Sequence, residues 1–254
     1  MKYPSYLDMV QTLLPVEEFL EFTKRYDQPV TKSIKILQQH AHHPHSIEGF
    51  DRTGILKRLT SDGRTCTPPR FSWEGRIYDD LLFVTKADNQ SLGSHPLHQA
   101  GAFYVQEMAA GLPAQVLNVQ PNHLVLDMCA APGGKSVQLA DFLASPLVKE
   151  DEGKVHNNGL LISNEPNPTR RKALEANLER CGIWNAVITG YDGQTIGNIL
   201  KEQCDKVLLD APCSGEGMQY KSDVNVYHWN EKAIRKLTQT QKSLLLSGLQ
   251  ALKI

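Results

Sequence analysis

"VLDMCAAPGGKS", residues 125–136, decides the fold. Three apolar-to-acidic residues close a buried strand at Asp127, a short turn carries a cysteine, a proline and two glycines, and a helix opens at the glycines. Working outward, the same strand, turn, helix order repeats. "HLVLD" (123–127) is a buried-type strand followed by the helix "KSVQLADFLA", and "GLLISNE" (159–165) is a second strand. Its helix is "NPTRRKALEANLERCG", with Asn167 as N-cap, Pro168 at the first helical position and Gly182 as the stop. Leu174, Leu178 and Cys181 share one face of it, which makes Cys181 a small core residue. "NAVITGYDG" gives a third strand, "DKVLLDAPC" a fourth, and "NEKAIRKLTQTQKSLLLSGLQALKI" a long amphipathic helix. Alternation of this kind predicts an α/β fold, a Rossmann-like parallel sheet with helices on both faces.

The first 95 residues read differently and are expected to form a small α+β domain, with a boundary between 95 and 96. An amphipathic helix is expected around "LPVEEFLEFTKRY" and a basic strand at "TKSIKIL", and short apolar runs in "GRTCTPPRFSWEGRIYDDLLFV" suggest β structure. "QHAHHPH" (39–45) invites a metal reading, but Pro44 interrupts it and no carboxylate or cysteine accompanies it. It reads as a solvated loop, and no metal site is expected. The polar, acidic "KEDEGKVHNNG" (149–159) reads as a surface loop.

Composition sets bounds. Hydrophobic residues make up 41% and charged residues 22%, ordinary for a folded soluble chain. No apolar run reaches the roughly 18 residues that span a bilayer, and the N-terminus has no apolar segment of a secretory signal. Five scattered cysteines, 66, 129, 181, 204 and 213, form no CxxC pair, which fits reduced thiols and a cytoplasmic protein, expected to be a monomer. Residues 1–100 carry twelve Lys/Arg against twelve Asp/Glu and the rest fifteen against sixteen. Neither half is a basic polyanion-binding module; a nucleic-acid cleft would have to arise from local clustering.

Ligands in such sheets sit at the carboxyl ends of the strands. Those ends carry Asp127, Glu165, Asp192 and Asp210, one acid after each of four strands. One acid there is a common helix cap; four in register are a pattern. "APGGKS" has no glycine where a phosphate-binding loop needs it, and a ring of acids repels pyrophosphate. A nucleoside carrying a positive sulfonium fits better, which points to S-adenosylmethionine, with Glu165 on the ribose, Asp192 on the adenine, and the glycines admitting the ligand against the backbone. In "LLDAPCSGEGM" (208–218) an acid, a proline and the thiol of Cys213 follow the fourth strand. A thiol beside a methyl donor suits methylation of a pyrimidine carbon, which is a poor nucleophile until a thiolate adds at C6. Asp210 is placed to bond the base edge, and the base must be unstacked, which suits single-stranded or looped RNA.

At "DMCAAPGGKS" and "LLDAPCSGEGM" the chain resembles the Sun-type RNA cytosine-5 methyltransferases, among them the bacterial RsmB- and RsmF-like enzymes. "GAFYVQEMAA" (101–110) and "TQ" (240–241) match the family too, so the resemblance covers about residues 96–254. The front is looser: "KSIKIL" (32–37) stands where the family has a basic R-x-N-T-L strand, without its Asn. The resemblance implies that Cys129, Ala130, Ala131, Pro132, Gly133, Gly134 and Lys135 line the cofactor site with Glu165, Asp192 and Asp210. It implies that Lys135 approaches the base, that Cys213 assists product release, and that the substrate is RNA, rRNA before tRNA. The family's attacking cysteine lies in a Ser-Thr-Cys motif after a fifth strand, and this sequence contains no such motif. Three expectations stay open: part of a longer protein, a split or degenerate product that binds without catalysing, or Cys213 as the nucleophile. A parallel sheet of the family's order would also leave the fourth strand as an apolar edge.

Overall fold

The computed structural model describes residues 4–26, 32–37, 52–61, 65–67, 72–73, 76–77, 81–85, 92–144, 159–215 and 231–254. The His-rich stretch 39–45 and the acidic run 149–158 lie outside the described residues. In chain order the elements are helices α1 (Pro4–Leu13) and α2 (Val16–Tyr26), strand β1 (Lys32–Ile36), α3 (Arg52–Ser61), β2 (Thr65–Thr67), β3 (Ser72–Trp73), β4 (Arg76–Ile77) and β5 (Leu81–Thr85). There follow α4 (Pro96–Gln99), β6 (Phe103–Glu107), α5 (Met108–Val116), β7 (Leu124–Asp127), α6 (Gly134–Leu143), β8 (Leu160–Asn164), α7 (Pro168–Arg180), β9 (Ala186–Thr189), α8 (Ile196–Ile199), β10 (Lys206–Leu208) and α9 (Glu231–Ala251).

Two compact units emerge. One comprises residues 1–30 and 211–243. Within it, Val10 of α1 is buried while Leu13, Val16 and Leu20 are exposed. Gln241 of α9 donates its side-chain amide to the Pro212 carbonyl at 2.9 Å, so the helix holds the segment next to Cys213.

The other unit comprises residues 31–210 and 244–254. It contains a four-stranded parallel sheet in the order β10-β7-β8-β9, the Rossmann-like arrangement expected from the alternating pattern. The register sets Leu208 against Asp127 and Asp127 against Ser163, so Asp210 and Glu165 each follow two residues past the level of Asp127. Among the described residues β10 is an edge strand of this sheet, the position the family's order implies. Helix α7 starts where sequence chemistry places it: the Asn167 side chain accepts from the amides of Thr169 and Arg170, and Pro168 follows. It ends at Gly182, whose φ of +67° suits glycine. Leu174, Leu178 and Cys181 are buried in one cluster, each large apolar side chain contributing about 1.5–3 kcal/mol.

A second sheet, antiparallel in the order β2-β5-β1-β6, belongs to the same unit. Its strand β6 lies past the boundary expected at 95/96, and five residue pairs from Lys32↔Glu107 to Ile36↔Phe103 join it to β1. The basic strand is not a solvated one. Lys35 is 1% exposed and pairs with Asp141 of α6 at 3.2 Å. Its ammonium also lies 4.6 Å from the ring centroid of Phe142. α6 is buried nearly all round and packs against β6, β7, β8, α5 and α7. It is the shared element between the two sheets. The C-terminal half of α9 buries Leu244, Ser247 and Ala251, one face at helical spacing.

Candidate active site

The loop after β7 is shaped by its own strand and by the helix that follows. Asp127 is fully buried and accepts a hydrogen bond from the Ser136 hydroxyl at 2.7 Å. Burial pushes its carboxyl up to about 6, against the pull of Ser136, Lys135 and the Cys129 amide. Gly133 caps α6 with φ +114°, a conformation that favours glycine. The missing side chains make room for neighbouring elements of the protein. A Cβ on Gly133 would stand 3.1 Å from Leu174 of α7, and one on Gly134 would stand 3.1 Å from Tyr104 of β6. The Cβ directions of these two glycines face α7 and β6, so a side chain at either would press on the protein itself.

At the end of β8, Glu165 is 1% exposed. Its Oε1 accepts from the Asn167 amide at 2.9 Å, and Oε2 lies 3.3 Å from Arg170 without a hydrogen bond. Arg170 also donates to the Ala131 carbonyl at 2.8 Å, which ties the glycine loop to the acid of the next strand. Arg171 donates to the Glu165 carbonyl at 2.9 Å. These arginines were not singled out in the sequence, where they read as ordinary helix-surface charge. Asn164, also missed, is fully buried at the end of β8 and bonds to the ends of β7 and β9. A polar residue at the end of an apolar strand was the available signal, because a buried amide must find partners.

The two outer acids sit in the open. Asp192 is exposed and its Oδ1 accepts from the Gln194 amide at 2.9 Å in a tight turn. Asp210, 59% exposed, pairs with Lys135 at 2.8 Å, so the lysine expected to meet substrate is held by the acid of the fourth strand. Cys129 is partly buried, and its thiol is pushed up to about 12 by burial and then by the carboxylates of Asp127, Glu165 and Asp210. Held in the thiol form at neutral pH, it is a wall residue of the loop rather than a nucleophile. Cys213 is exposed and belongs to the other unit. The structure thus brings Cys129 to Lys135, Glu165, Asp192 and Asp210 to the carboxyl edge of one parallel sheet. Among the described residues no group of three or more His, Cys, Asp or Glu is placed to hold a metal ion, and no helix is long and apolar enough to cross a membrane.

A parallel sheet of this order, with an acid after each strand and a glycine loop after β7, defines the Rossmann-like S-adenosylmethionine-dependent methyltransferases. The chain belongs to the 16S rRNA methyltransferase RsmB/F family, whose profile matches residues 114–254. It is 35% identical over 254 residues to the ribosomal RNA small subunit methyltransferase F of Vibrio parahaemolyticus, a match covering 98% of this chain and 47% of that protein. The protein of the same name from Pectobacterium atrosepticum is 39% identical over 253 residues, again covering 98% of this chain and 47% of the relative. The chain thus spans about half the length of the curated relatives it matches. A solved methyltransferase homolog from Pyrococcus horikoshii superposes with a TM-score of 0.70 at 24% identity, over 98% of this chain and 74% of its own, a likeness of fold.

Proposed function

We propose that this chain binds S-adenosylmethionine and belongs to a cytosine-5 methyltransferase acting on small-subunit rRNA in the cytoplasm. The observation that carries the reading is the set of four carboxylates that follow the carboxyl ends of the four parallel strands, beside the loop after β7. The residues present fit the cofactor. Glu165 Oε2 is buried without a hydrogen bond, an acceptor suited to a ribose hydroxyl. The exposed carboxylate of Asp192 suits an adenine amine. Carboxylates there attract a sulfonium and repel a pyrophosphate. S-adenosylmethionine supplies a methyl group on a positively charged sulfur. The relatives' names supply the small-subunit rRNA target.

On the substrate side, the Lys135–Asp210 pair offers a donor and an acceptor to a base edge. A thiolate added at C6 of the base makes C5 nucleophilic. The family resemblance assigns that addition to a Ser-Thr-Cys cysteine, absent from these 254 residues, and assigns product release to Cys213. Calorimetry with S-adenosylmethionine, followed by methyl transfer to 16S rRNA, tests the proposal. Saturable binding is the expected result, and no binding overturns it. Methyl transfer by this chain alone would move the attack at C6 to Cys213, and a Cys213→Ser variant would then be inactive.

A further inference from the structure

We propose that Asn164 is the positioning residue that holds the adenine-side acid Asp192 in register with the glycine loop, a role that rests on the cofactor reading above. Asn164 closes β8 and is 0% exposed. Its side-chain amide donates to the Met128 carbonyl at 3.3 Å and to the Tyr191 carbonyl at 3.0 Å. Its Oδ1 accepts from the Tyr191 amide at 2.9 Å and from the Thr189 hydroxyl at 2.8 Å. Its own carbonyl accepts from the Ala130 amide at 2.9 Å. One buried side chain therefore binds the residue that starts the loop after β7 and the residue just before Asp192.

No ladder hydrogen bond does this work. β7 and β9 are not neighbours in the sheet; β8 lies between them. The ladder between β8 and β9 ends at Asn164↔Thr189, and past it only the Glu165 amide reaches back, to the Thr189 carbonyl at 3.0 Å. Gly190, Tyr191 and Asp192 follow where the strand has stopped. The carboxamide replaces the missing ladder: it pairs with both the N–H and the C=O of Tyr191, as a neighbouring strand would. Asp192 then enters its turn from a backbone fixed on both sides. Affinity for a ligand that touches both Glu165 and Asp192 depends on this spacing, since a small misplacement of one partner forfeits its hydrogen bond.

The test is a double-mutant cycle on the full chain, read by calorimetry with S-adenosylmethionine. Asp192→Asn alone weakens binding by roughly tenfold, the scale of one charged hydrogen bond. Asn164→Asp keeps the shape and both acceptor contacts but replaces the two donations with a carboxylate oxygen facing carbonyls. It is expected to weaken binding by at least about tenfold, and the double variant to be little weaker than Asn164→Asp alone. Thr189→Val, which removes one donor at the rim of the same cluster, supplies the cycle if Asn164→Asp does not fold. Without cofactor, amide exchange at Tyr191 and Ala130 should quicken in either variant while that of Val125 is unchanged. Additive losses in the cycle with unchanged exchange at Tyr191 overturn the positioning role and leave the cofactor reading standing. Absence of binding by the unaltered chain overturns both.

Discussion

The four strand-end acids fall into two regions that hold the same chemistry differently. At the centre of the sheet, Asp127 and Glu165 are each 1% exposed and enclosed by Ser136, Asn167 and Arg170. At the edges, Asp192 and Asp210 stand in solvent, one in a turn and one against Lys135. A carboxylate taken out of water must be satisfied by the protein or shift its pKa, whereas an exposed one is left to water or a ligand. The central pair therefore supports the fold, with Glu165 Oε2 left as a buried acceptor for a ligand, and the edge pair is open to solvent and ligand alike.

The largest break in this contrast is expected at Glu165. Glu165→Ala removes the acceptor of the Asn167 amide at the start of α7, with an expected loss of about 1–3 kcal/mol and a fall in melting temperature. Binding of S-adenosylmethionine should fall in the same protein by on the order of 100-fold, measured by calorimetry. Asp127 comes next and is sharpened by pH. Its folded pKa, about 6, stands above the unfolded value, so its contribution is fully present below about pH 4 and is lost as pH rises through 6. Asp127→Asn removes that penalty, and the variant's melting temperature relative to the parent should rise between pH 4 and 7. A flat difference would show that the carboxyl is not strained by burial. Asp192→Asn should leave the melt within about 0.5 kcal/mol while weakening the cofactor roughly tenfold. Smallest is Lys135→Ala: its pair with a half-exposed acid contributes about 0–1 kcal/mol, read as the coupling in a cycle with Asp210→Ala.

Much of this was legible because it is local. Asn167, Pro168 and Gly182 announce α7 at both ends, and the leucine spacing announces its buried face. What escaped is long-range. β6 pairs with β1 across some seventy residues of sequence, a distance at which hydrophobic pattern carries no information on partners. Lys35 reads as a basic strand residue until the fold supplies Asp141. Gly133 and Gly134 announce a tight loop, yet whether a ligand, α7 or β6 fills the vacated side-chain space depends on packing. Asn164 and Arg170 were visible as residue types and invisible as connectors, because their partners come from three separate strand ends and a loop.

The Lys35–Asp141 pair has a consequence for how this protein can change over generations. Both side chains are sealed from water, and removing either leaves the other as an uncompensated buried charge, a cost of about 3–5 kcal/mol. Neither position can drift alone. A descendant can exchange the two together for apolar residues of similar bulk, or keep both, so the strand β1 and the helix α6 are inherited at this point as one site written in two places.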